Sequence, residues 1–432
     1  MRYLRVFLSI LGVCGLAHGI TSESSLQTPR IVIAVSVVLD GKGGVLHDSR
    51  IVVEDSKIVA IDPQALPVDY DLRGLTVLPG WIDAHVHIAR SFGKDGKNGS
   101  PGGAPEEVAY QVASNAWVTL MAGFTTVQSV GSPADLPLRD AIRKGLLPGP
   151  RILTAVEVLT GRGEQTGTPD EIRAFVRKQK NAGADLIKIF ANYSVRRPEM
   201  MISEEQLNAA CDEARKQGLR TLVHAYKDAV RAATLAGCTE IEHGVLATDD
   251  DLKLMAEKGT YLDPQAGLVW ENYLANKEKF VGTPGFPNSL EGFAGMQSLI
   301  PIYHEFMRRA MKIQGLKIVF GTDALAGAHG RNAKEFIDRV RDVGIDPMEA
   351  MVSANSLGAK ALGMADQIGS IAPGLQADII ALDGGPLKDI AAVRRVVFVM
   401  KGGIVYKNVC ARCNSCLCRR SALIRLLRKV SR

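Results

Sequence analysis

From residue 81 onward, short apolar runs alternate with amphipathic stretches, and this alternation constrains the fold more than any other feature of the chain. Eight runs have the length and composition of buried strands, at residues 81–88, 124–130, 151–158, 184–190, 220–225, 238–244, 260–264 and 316–323. Helical patterns lie between them, as at 169–181, 203–217 and 249–258. Buried strands that alternate with helices build parallel sheets, so eight such units predict an α/β fold, a closed (β/α)8 TIM barrel.

Short strand patterns also lie on both sides of this segment. Residues 30–39, 50–54 and 57–61 precede it, and 377–382, 393–400 and 403–407 follow it. We expect these strands to form one small β-sandwich domain built from both ends of the chain. The predicted division is a signal peptide at 1–19, a composite β-sandwich at 30–78 plus 365–408, a barrel at 79–364 and a basic, cysteine-containing tail at 409–432.

The net charge of the 432-residue chain, +6, is concentrated at its end. Residues 409–432 hold seven Lys or Arg and no Asp or Glu, which leaves −1 for residues 1–408. A nearly neutral body has no basic patch of the kind that binds nucleic acid, so no nucleic-acid partner is expected. A cationic amphipathic helix at the end of the tail is one interpretation; a disordered end is the one we favour.

The first nineteen residues have the pattern of an export signal. Arg2 and Arg5 precede an apolar run at 6–17 that is too short to span a bilayer, and small residues follow it. We predict cleavage after Gly19 and a secreted or periplasmic protein without an integral membrane span. A lipoprotein anchored through Cys14 is less favoured, because Val13 is bulky where a small residue is expected.

The remaining cysteines do not predict a disulfide framework. Cys211 and Cys238 lie in apolar-periodic segments, where a buried free thiol is the expected state. Four cysteines in the tail could bind zinc or an iron–sulfur cluster, but their crowded spacing favours an irregular, appended segment. They are Cys410, Cys413, Cys416 and Cys418.

The clearest chemical motif is His85-Val86-His87 in the first barrel strand. Side chains two residues apart on a strand project from the same face, so both imidazoles can reach one metal ion without backbone strain. The alternative is a pair of histidines that only stabilises a buried strand. A metal is favoured, because two polar rings on one strand face need partners.

Four more strand ends carry a metal ligand or a buried base: Lys188, His224, His243 and Asp323. Active sites of (β/α)8 barrels lie at the carboxyl ends of the strands, where these side chains would meet. Taken singly, each histidine could be a satisfied core residue and Asp323 a helix N-cap. Together with His85 and His87 they indicate one polar site.

This set resembles the amidohydrolase superfamily of metal-dependent hydrolases. The resemblance covers residues 30–408 and includes the motifs Leu-Pro-Gly-Trp-Ile-Asp at 78–83 and Gly-Ser-Ile-Ala-Pro-Gly at 369–374. It is greatest to the imidazolonepropionase-like branch, which includes Xaa-Pro and Xaa-Arg/Lys dipeptidases and ochratoxin-type amidases. It implies two divalent metal ions bridged by a carboxylated Lys188, since a carbamate supplies two anionic oxygens.

By the same resemblance, His85, His87 and Asp323 would hold one ion, and His224 with His243 the other. Zinc suits this mixture of imidazole and carboxylate best, with manganese or cobalt as substitutes. The implied mechanism is hydrolysis by a metal-bridging hydroxide, with one ion polarising the scissile carbonyl.

Three residues receive catalytic roles from this resemblance and from their positions. Asp323 would take the proton of the attacking water and return it to the leaving amine. Tyr226, on the same strand face as His224, could donate a hydrogen bond to the developing oxyanion, or be a core tyrosine. His329, six residues after Asp323, could contact substrate or be an exposed loop histidine.

The predicted function is cleavage of an amide C–N bond, in a dipeptide or N-acyl amino acid. Two alternatives remain: hydrolysis of a cyclic amide or imidazolone, and a non-catalytic binding protein with the same fold. The expected partner is a small amide or dipeptide, and homo-oligomerisation is left open. The glycine-rich loop at 92–105 is expected to be a flexible lid rather than a phosphate cradle, and the insertion at 270–301 is expected over the same barrel mouth, where it could contact substrate. Four arginines elsewhere in the chain could bind a substrate carboxylate, although solvated surface charges are the favoured interpretation: Arg162, Arg196, Arg197 and Arg331.

Overall fold

A computed structural model describes residues 30–99 and 103–409 and has an α/β fold. The predicted signal peptide, Cys14 and the four tail cysteines lie outside the described residues. The strands are β1 (Arg30–Leu39), β2 (Val45–Glu54), β3 (Lys57–Ile61), β4 (Tyr70–Asp71), β5 (Thr76–Pro79), β6 (Trp81–Val86), β7 (Ser91–Phe92), β8 (Asn98–Gly99), β9 (Phe124–Ser129), β10 (Arg151–Thr154), β11 (Val158–Thr160), β12 (Leu186–Phe190), β13 (Arg220–Ala225), β14 (Glu240–His243), β15 (Tyr261–Asp263), β16 (Lys317–Ile318), β17 (Ile379–Leu382), β18 (Val396–Lys401) and β19 (Ile404–Asn408).

The helices alternate with the middle strands. They are α1 (Pro105–Met121), α2 (Asp135–Arg143), α3 (Pro169–Asn181), α4 (Glu204–Lys216), α5 (Asp228–Leu235), α6 (Asp249–Lys258), α7 (Leu268–Ala275), α8 (Lys277–Phe280), α9 (Gly292–Gln297), α10 (Ile300–Met311), α11 (Lys334–Asp338), α12 (Pro347–Ser353) and α13 (Ser356–Ala361). The predicted helices at 169–181 and 249–258 agree with α3 and α6 at both ends. Within the part of the chain that the structure describes, no helix is both long and apolar enough to cross a membrane.

One sheet combines strands from the two ends of the described chain. Its order is β19-β18-β17-β5-β1-β2-β3, with β4 also paired to β1. The short strand β5 joins the two parts, since it pairs in parallel with β1 and antiparallel with β17. Apolar side chains from both parts, including Ile33, Val53, Ile379 and Phe398, bury each other in one hydrophobic cluster.

Apart from the short antiparallel pair β7–β8, the strands between these ends are parallel and form two sheets, ordered β10-β9-β6 and β11 through β16. Backbone hydrogen bonds connect the two sheets at both sides. Ala84 N donates to Phe320 O at 2.9 Å and His87 N to Ala324 O at 2.8 Å, which ties β6 to the segment after β16. Asp185 N donates to Thr154 O at 2.8 Å, which ties β10 to the start of β12. The carboxyl ends of these strands therefore face the same side of the molecule.

Two strands differ from the sequence expectation. The run at 151–158 is divided into β10 and β11, because Val156 has a positive φ of 62° that a strand cannot accommodate. The run at 316–323 keeps only Lys317–Ile318 as a strand. Its second half instead bonds to β6, with Asp323 N donating to His85 O at 2.8 Å. This contact places Asp323 beside the histidines.

The expectation that Cys211 and Cys238 are free thiols is wrong, because the structure joins them in a disulfide. Cys211 lies on α4, and Cys238 lies just before β14, 27 residues away in the sequence. The sequence pattern identified both positions as buried, but it could not show that two adjacent strand–helix units bring them together. The bridge ties α4 to the strand that carries His243.

We expect loss of this disulfide to lower the free energy of unfolding by about 3 kcal/mol, because a cross-link closing a loop of this size removes entropy from the unfolded chain. The test compares thermal midpoints of the wild type, the wild type with reductant, and the Cys211→Ser/Cys238→Ser variant. The reduced protein and the variant should both unfold at lower temperature. Because the chain has five further cysteines, the bridge itself is checked by peptide mapping without reductant, and recovery of Cys211 and Cys238 as separately alkylated peptides would contradict it.

Candidate metal centre

Six of the eight predicted site residues line a cavity of about 280 Å³ at the carboxyl ends of the parallel strands. Its floor contains His85, His87, His224, His243 and Asp323. Aromatic and apolar side chains form much of the wall: Phe190, Tyr193, Tyr226, Val269, Trp270, Tyr273, Phe286, Met296, Tyr303 and Leu325. The loop after β6 and the 270–301 segment both contribute lining residues, so both border the site.

His85, His87 and Asp323 form the first group of potential ligands. The Oδ1 atom of Asp323 is 3.1 Å from His87 Nε2 and 3.5 Å from His85 Nε2. One donor atom from each residue lies within 4.8 Å of the others, a spacing at which one ion can be shared. Asp323 has a φ of 51°, a left-handed conformation that Asp tolerates better than most residues.

His224 and His243 form the second group. The Nε2 atom of His243 is 2.9 Å from His224 Nδ1, and His224 Nε2 is buried without a hydrogen-bond partner in the described protein. Burial lowers the pKa of His243 to about 3 and that of His224 well below its usual value. Both rings are therefore neutral at neutral pH, which is the form that binds a metal.

Lys188 lies deep in the interior, near both groups. Its side chain is fully buried, and its Nζ has no hydrogen-bond partner among the described residues. Burial lowers the pKa of the amine, although the carboxylates of Glu242 and Asp323 act in the opposite direction. A buried, unpartnered amine is costly, so this position needs a further group to satisfy it.

The site also contains residues that the sequence analysis missed. Glu242 Oε2 makes a short contact with His85 Nδ1 and accepts a hydrogen bond from Gln265 Nε2 at 3.0 Å. In addition to the two groups above, His85, Glu242 and Asp263 have donor atoms within 4.8 Å of one another. A carboxylate on the second ring nitrogen of a ligating histidine fixes the orientation of the ring.

Strand alternation explains why Glu242 was missed. Neighbouring residues on a strand face opposite sides, so strand alternation predicts that Glu242 points away from the site that His243 faces. His243 has a φ of 66°, however, and this left-handed turn at the end of β14 brings both side chains to the interior. Gln265 also has a positive φ, of 42°. Several site residues are therefore positioned by strand ends where the period of two no longer applies.

Tyr226 lies in the cavity, stacked on His243 with an angle of 9° between ring planes. Its hydroxyl is 3.2 Å from that of Tyr303, and its backbone N donates to Asn192 Oδ1 at 2.7 Å. Burial raises the pKa of Tyr226 well above its usual value. The phenol therefore keeps its proton and can act as a hydrogen-bond donor in the pocket.

His329 lies in a different place from its predicted role. It does not line the cavity that holds the other site residues. It borders a separate groove of about 590 Å³ with Trp117, Arg331 and Lys334, and its Nε2 is 3.0 Å from the backbone O of Arg90. In this position it supports the backbone of the loop that follows β6. A direct contact with substrate does not fit the structure.

The potential ligands fit a divalent metal ion in their chemistry. His85, His87 and Asp323 place imidazole and carboxylate donors within reach of one ion, and the neutral rings of His224 and His243 lie beside each other. Such a donor set, at the carboxyl ends of parallel strands in an α/β fold, defines a candidate metal-dependent enzyme.

Comparison with known proteins identifies the family. Residues 76–406 match the amidohydrolase family, and the chain belongs to this family of hydrolases acting on C–N bonds. Ochratoxinase from Aspergillus niger is 27% identical, with 87% of this chain and 86% of that protein covered. A crystal structure of a Xaa-Pro dipeptidase with bound methionine is 31% identical, with a TM-score of 0.78 and coverage of 88% and 100%. Imidazolonepropionase from Salinispora arenicola is 24% identical, with coverage of 80% and 88%.

Proposed function

We propose that this protein is a binuclear metal-dependent hydrolase that cleaves the amide bond of a dipeptide or an N-acyl amino acid. The observation that carries the proposal is the fully buried Nζ of Lys188, which has no hydrogen-bond partner among the described residues and whose pKa is affected by Glu242 and Asp323 of the site. A lone ammonium there would repel bound cations. A carbamate on Lys188 would supply two anionic oxygens to them instead.

We propose that the protein folds as a (β/α)8 barrel at 79–364 with a composite β-sandwich domain at 30–78 plus 365–408. The hydrogen bonds that link β6 to the segment after β16, and β10 to β12, support closure of the parallel strands. The mixed sheet with strands from both chain ends supports the composite domain.

The proposed ligand assignment follows the two groups of side chains. His85, His87 and Asp323 would hold one ion, His224 and His243 the other, and carboxylated Lys188 both. Bound divalent ions would lower the pKa of the attacking water and polarise the scissile carbonyl. Zinc is the ion we propose, with manganese or cobalt as substitutes.

The protein's own residues would then handle protons and orientation. Asp323 lies between the two imidazoles of β6 and would accept the proton of the attacking water, then pass it to the leaving amine. Tyr226 keeps its proton and would donate a hydrogen bond to the carbonyl oxygen as negative charge develops there. Glu242 would hold the ring of His85 in position.

We also propose that the protein is exported. The predicted signal peptide and the Cys211–Cys238 disulfide both support this, because disulfides form and persist in oxidising compartments.

The test is metal analysis of the full-length protein, together with a substrate screen of the zinc-loaded protein. We expect about two zinc ions per chain and hydrolysis within a library of dipeptides and N-acyl amino acids, measured as released amine. The control is the chelator-treated protein, which should regain activity when metal is restored. Cleavage of cyclic amides or imidazolones alone would support the alternative substrate class. A stable, metal-free and inactive protein would support the non-catalytic interpretation.

A further inference from the structure

We infer that Arg90 is a specificity-determining residue that binds the free carboxylate of the substrate. This inference rests on the proposed function and adds one requirement: the amide substrate must be an anion. Of the described residues that line the cavity, Arg90 is the only lysine or arginine. It lies three residues after His87 in the sequence, on the loop that leaves the candidate metal centre.

Among the residues that the structure describes, the guanidinium of Arg90 has no hydrogen-bond or salt-bridge partner. Within residues 30–99 and 103–409, no carboxylate forms a salt bridge with it, and no hydrogen bond from its side chain is present. Burial is the main cause of the lowered pKa of His87 and of the raised pKa of Tyr273, and the charge of Arg90 adds to the first shift and opposes the second. The planar guanidinium of Arg90 has two parallel N–H donors, and these match the two oxygens of a carboxylate.

The backbone of Arg90, by contrast, is firmly held. Its N donates to His87 O at 2.9 Å, and its O accepts hydrogen bonds from Asn115 Nδ2 at 3.2 Å and from His329 Nε2 at 3.0 Å. The base of the side chain is therefore fixed relative to the candidate metal ligands, while the guanidinium stays available. This arrangement suits a residue that orients a substrate, because a fixed base limits the entropy lost on binding.

The four arginines that the sequence indicated as possible carboxylate ligands are placed less favourably for that role. Arg331 pairs with Glu271 at 2.5 Å and borders the other groove. Arg197 stacks on the ring of Tyr193, with Cζ 3.6 Å from the ring centroid. Arg162 and Arg196 do not line the cavity. Arg90 is thus the cation placed to bind a carboxylate in this pocket.

The rest of the wall limits the substrate further. Trp270, Tyr273 and Phe286 form an aromatic surface across the cavity. Aromatic rings provide large apolar contact areas for an apolar substrate group. A cationic substrate side chain would be repelled by the positive charge of Arg90. The inferred substrate class is therefore an N-acyl amino acid or dipeptide with a free carboxylate and a large apolar group.

The test uses the best substrate of the screen and the same compound with its carboxylate converted to a carboxamide. The bond to be cleaved is identical in the two. For the zinc-loaded wild type we expect kcat/KM to favour the carboxylate by about 10-fold to 100-fold, the range of a charge-assisted hydrogen-bonded pair. Arg90→Gln should lose this preference, mainly through a higher KM for the carboxylate, so that its kcat/KM for the two compounds becomes similar. Arg90→Lys should recover part of the preference.

Arg162→Gln is the matched control, because it removes the same charge from a loop at the same end of the strands, outside the cavity. It should behave as the wild type. Equal hydrolysis of both compounds, or an Arg90→Gln variant that keeps the preference, would overturn the inference and leave the proposed function intact. If no amide is hydrolysed by the metal-loaded protein, the proposed function fails, and the role of Arg90 fails with it.

Discussion

Lys188→Ala is expected to abolish hydrolysis, with kcat/KM reduced by about 1,000-fold or more, because it removes the proposed anionic bridge between the two metal ions. Formation of a carbamate requires a neutral amine: the nitrogen attacks carbon dioxide, a C–N bond forms and a proton is released. The burial that lowers the pKa of Lys188 favours this neutral form. The same burial keeps the product away from bulk water.

Metal content and bicarbonate dependence distinguish this chemistry from a simple packing role. Metal-free wild type prepared without carbon dioxide should take up zinc more fully when bicarbonate is added. Lys188→Glu, which carries its own carboxylate, should bind zinc without that dependence. The matched control is Lys401→Ala. Lys401 also has its pKa lowered by burial, to about 8, but its Nζ bonds to Gly149 O in the mixed sheet. Full zinc content and activity in Lys188→Ala would refute the bridge.

Much of the site could be predicted because its ligands follow apolar strand runs. His85, His87, His224 and Lys188 each lie on a strand whose pattern is readable from the sequence. In the structure they meet at one end of the parallel strands. The helices α3 and α6 were also predictable, since capping pairs such as Thr168 with Glu171 mark their first turns.

The remaining features depend on contacts between segments that are distant in the sequence. Glu242 reaches His85 only because His243 leaves the regular strand conformation. The disulfide requires two neighbouring units to bring Cys211 and Cys238 together. His329 was assigned to the pocket by its closeness to Asp323 in the sequence, yet the intervening loop carries it to another groove. Arg90, which was not singled out, lines the pocket instead.

Asp323→Asn is the second substitution with a large expected effect. It keeps the shape of the side chain but removes its ability to accept a proton. Loss of a general base usually costs about 100-fold to 10,000-fold in rate, and we expect kcat to fall within this range. The zinc content should remain above that of Lys188→Ala. Asp135→Asn is the matched control, because Asp135 is also buried but accepts its hydrogen bond from Thr154 outside the cavity.

The pH profile tests the same role independently. Burial alone would raise the pKa of Asp323, but the adjacent imidazoles of His85 and His87 outweigh it and hold the pKa well below its usual range. The proton-accepting form therefore persists on acidification, and the lowered pKa values of His87, His224 and His243 keep those rings neutral. We therefore expect Asp323 itself to contribute no fall in kcat/KM between about pH 8 and pH 6, so that any fall seen there in the wild type persists in Asp323→Asn. Asp323→Asn with full zinc and near-normal kcat would assign the proton transfer to another group.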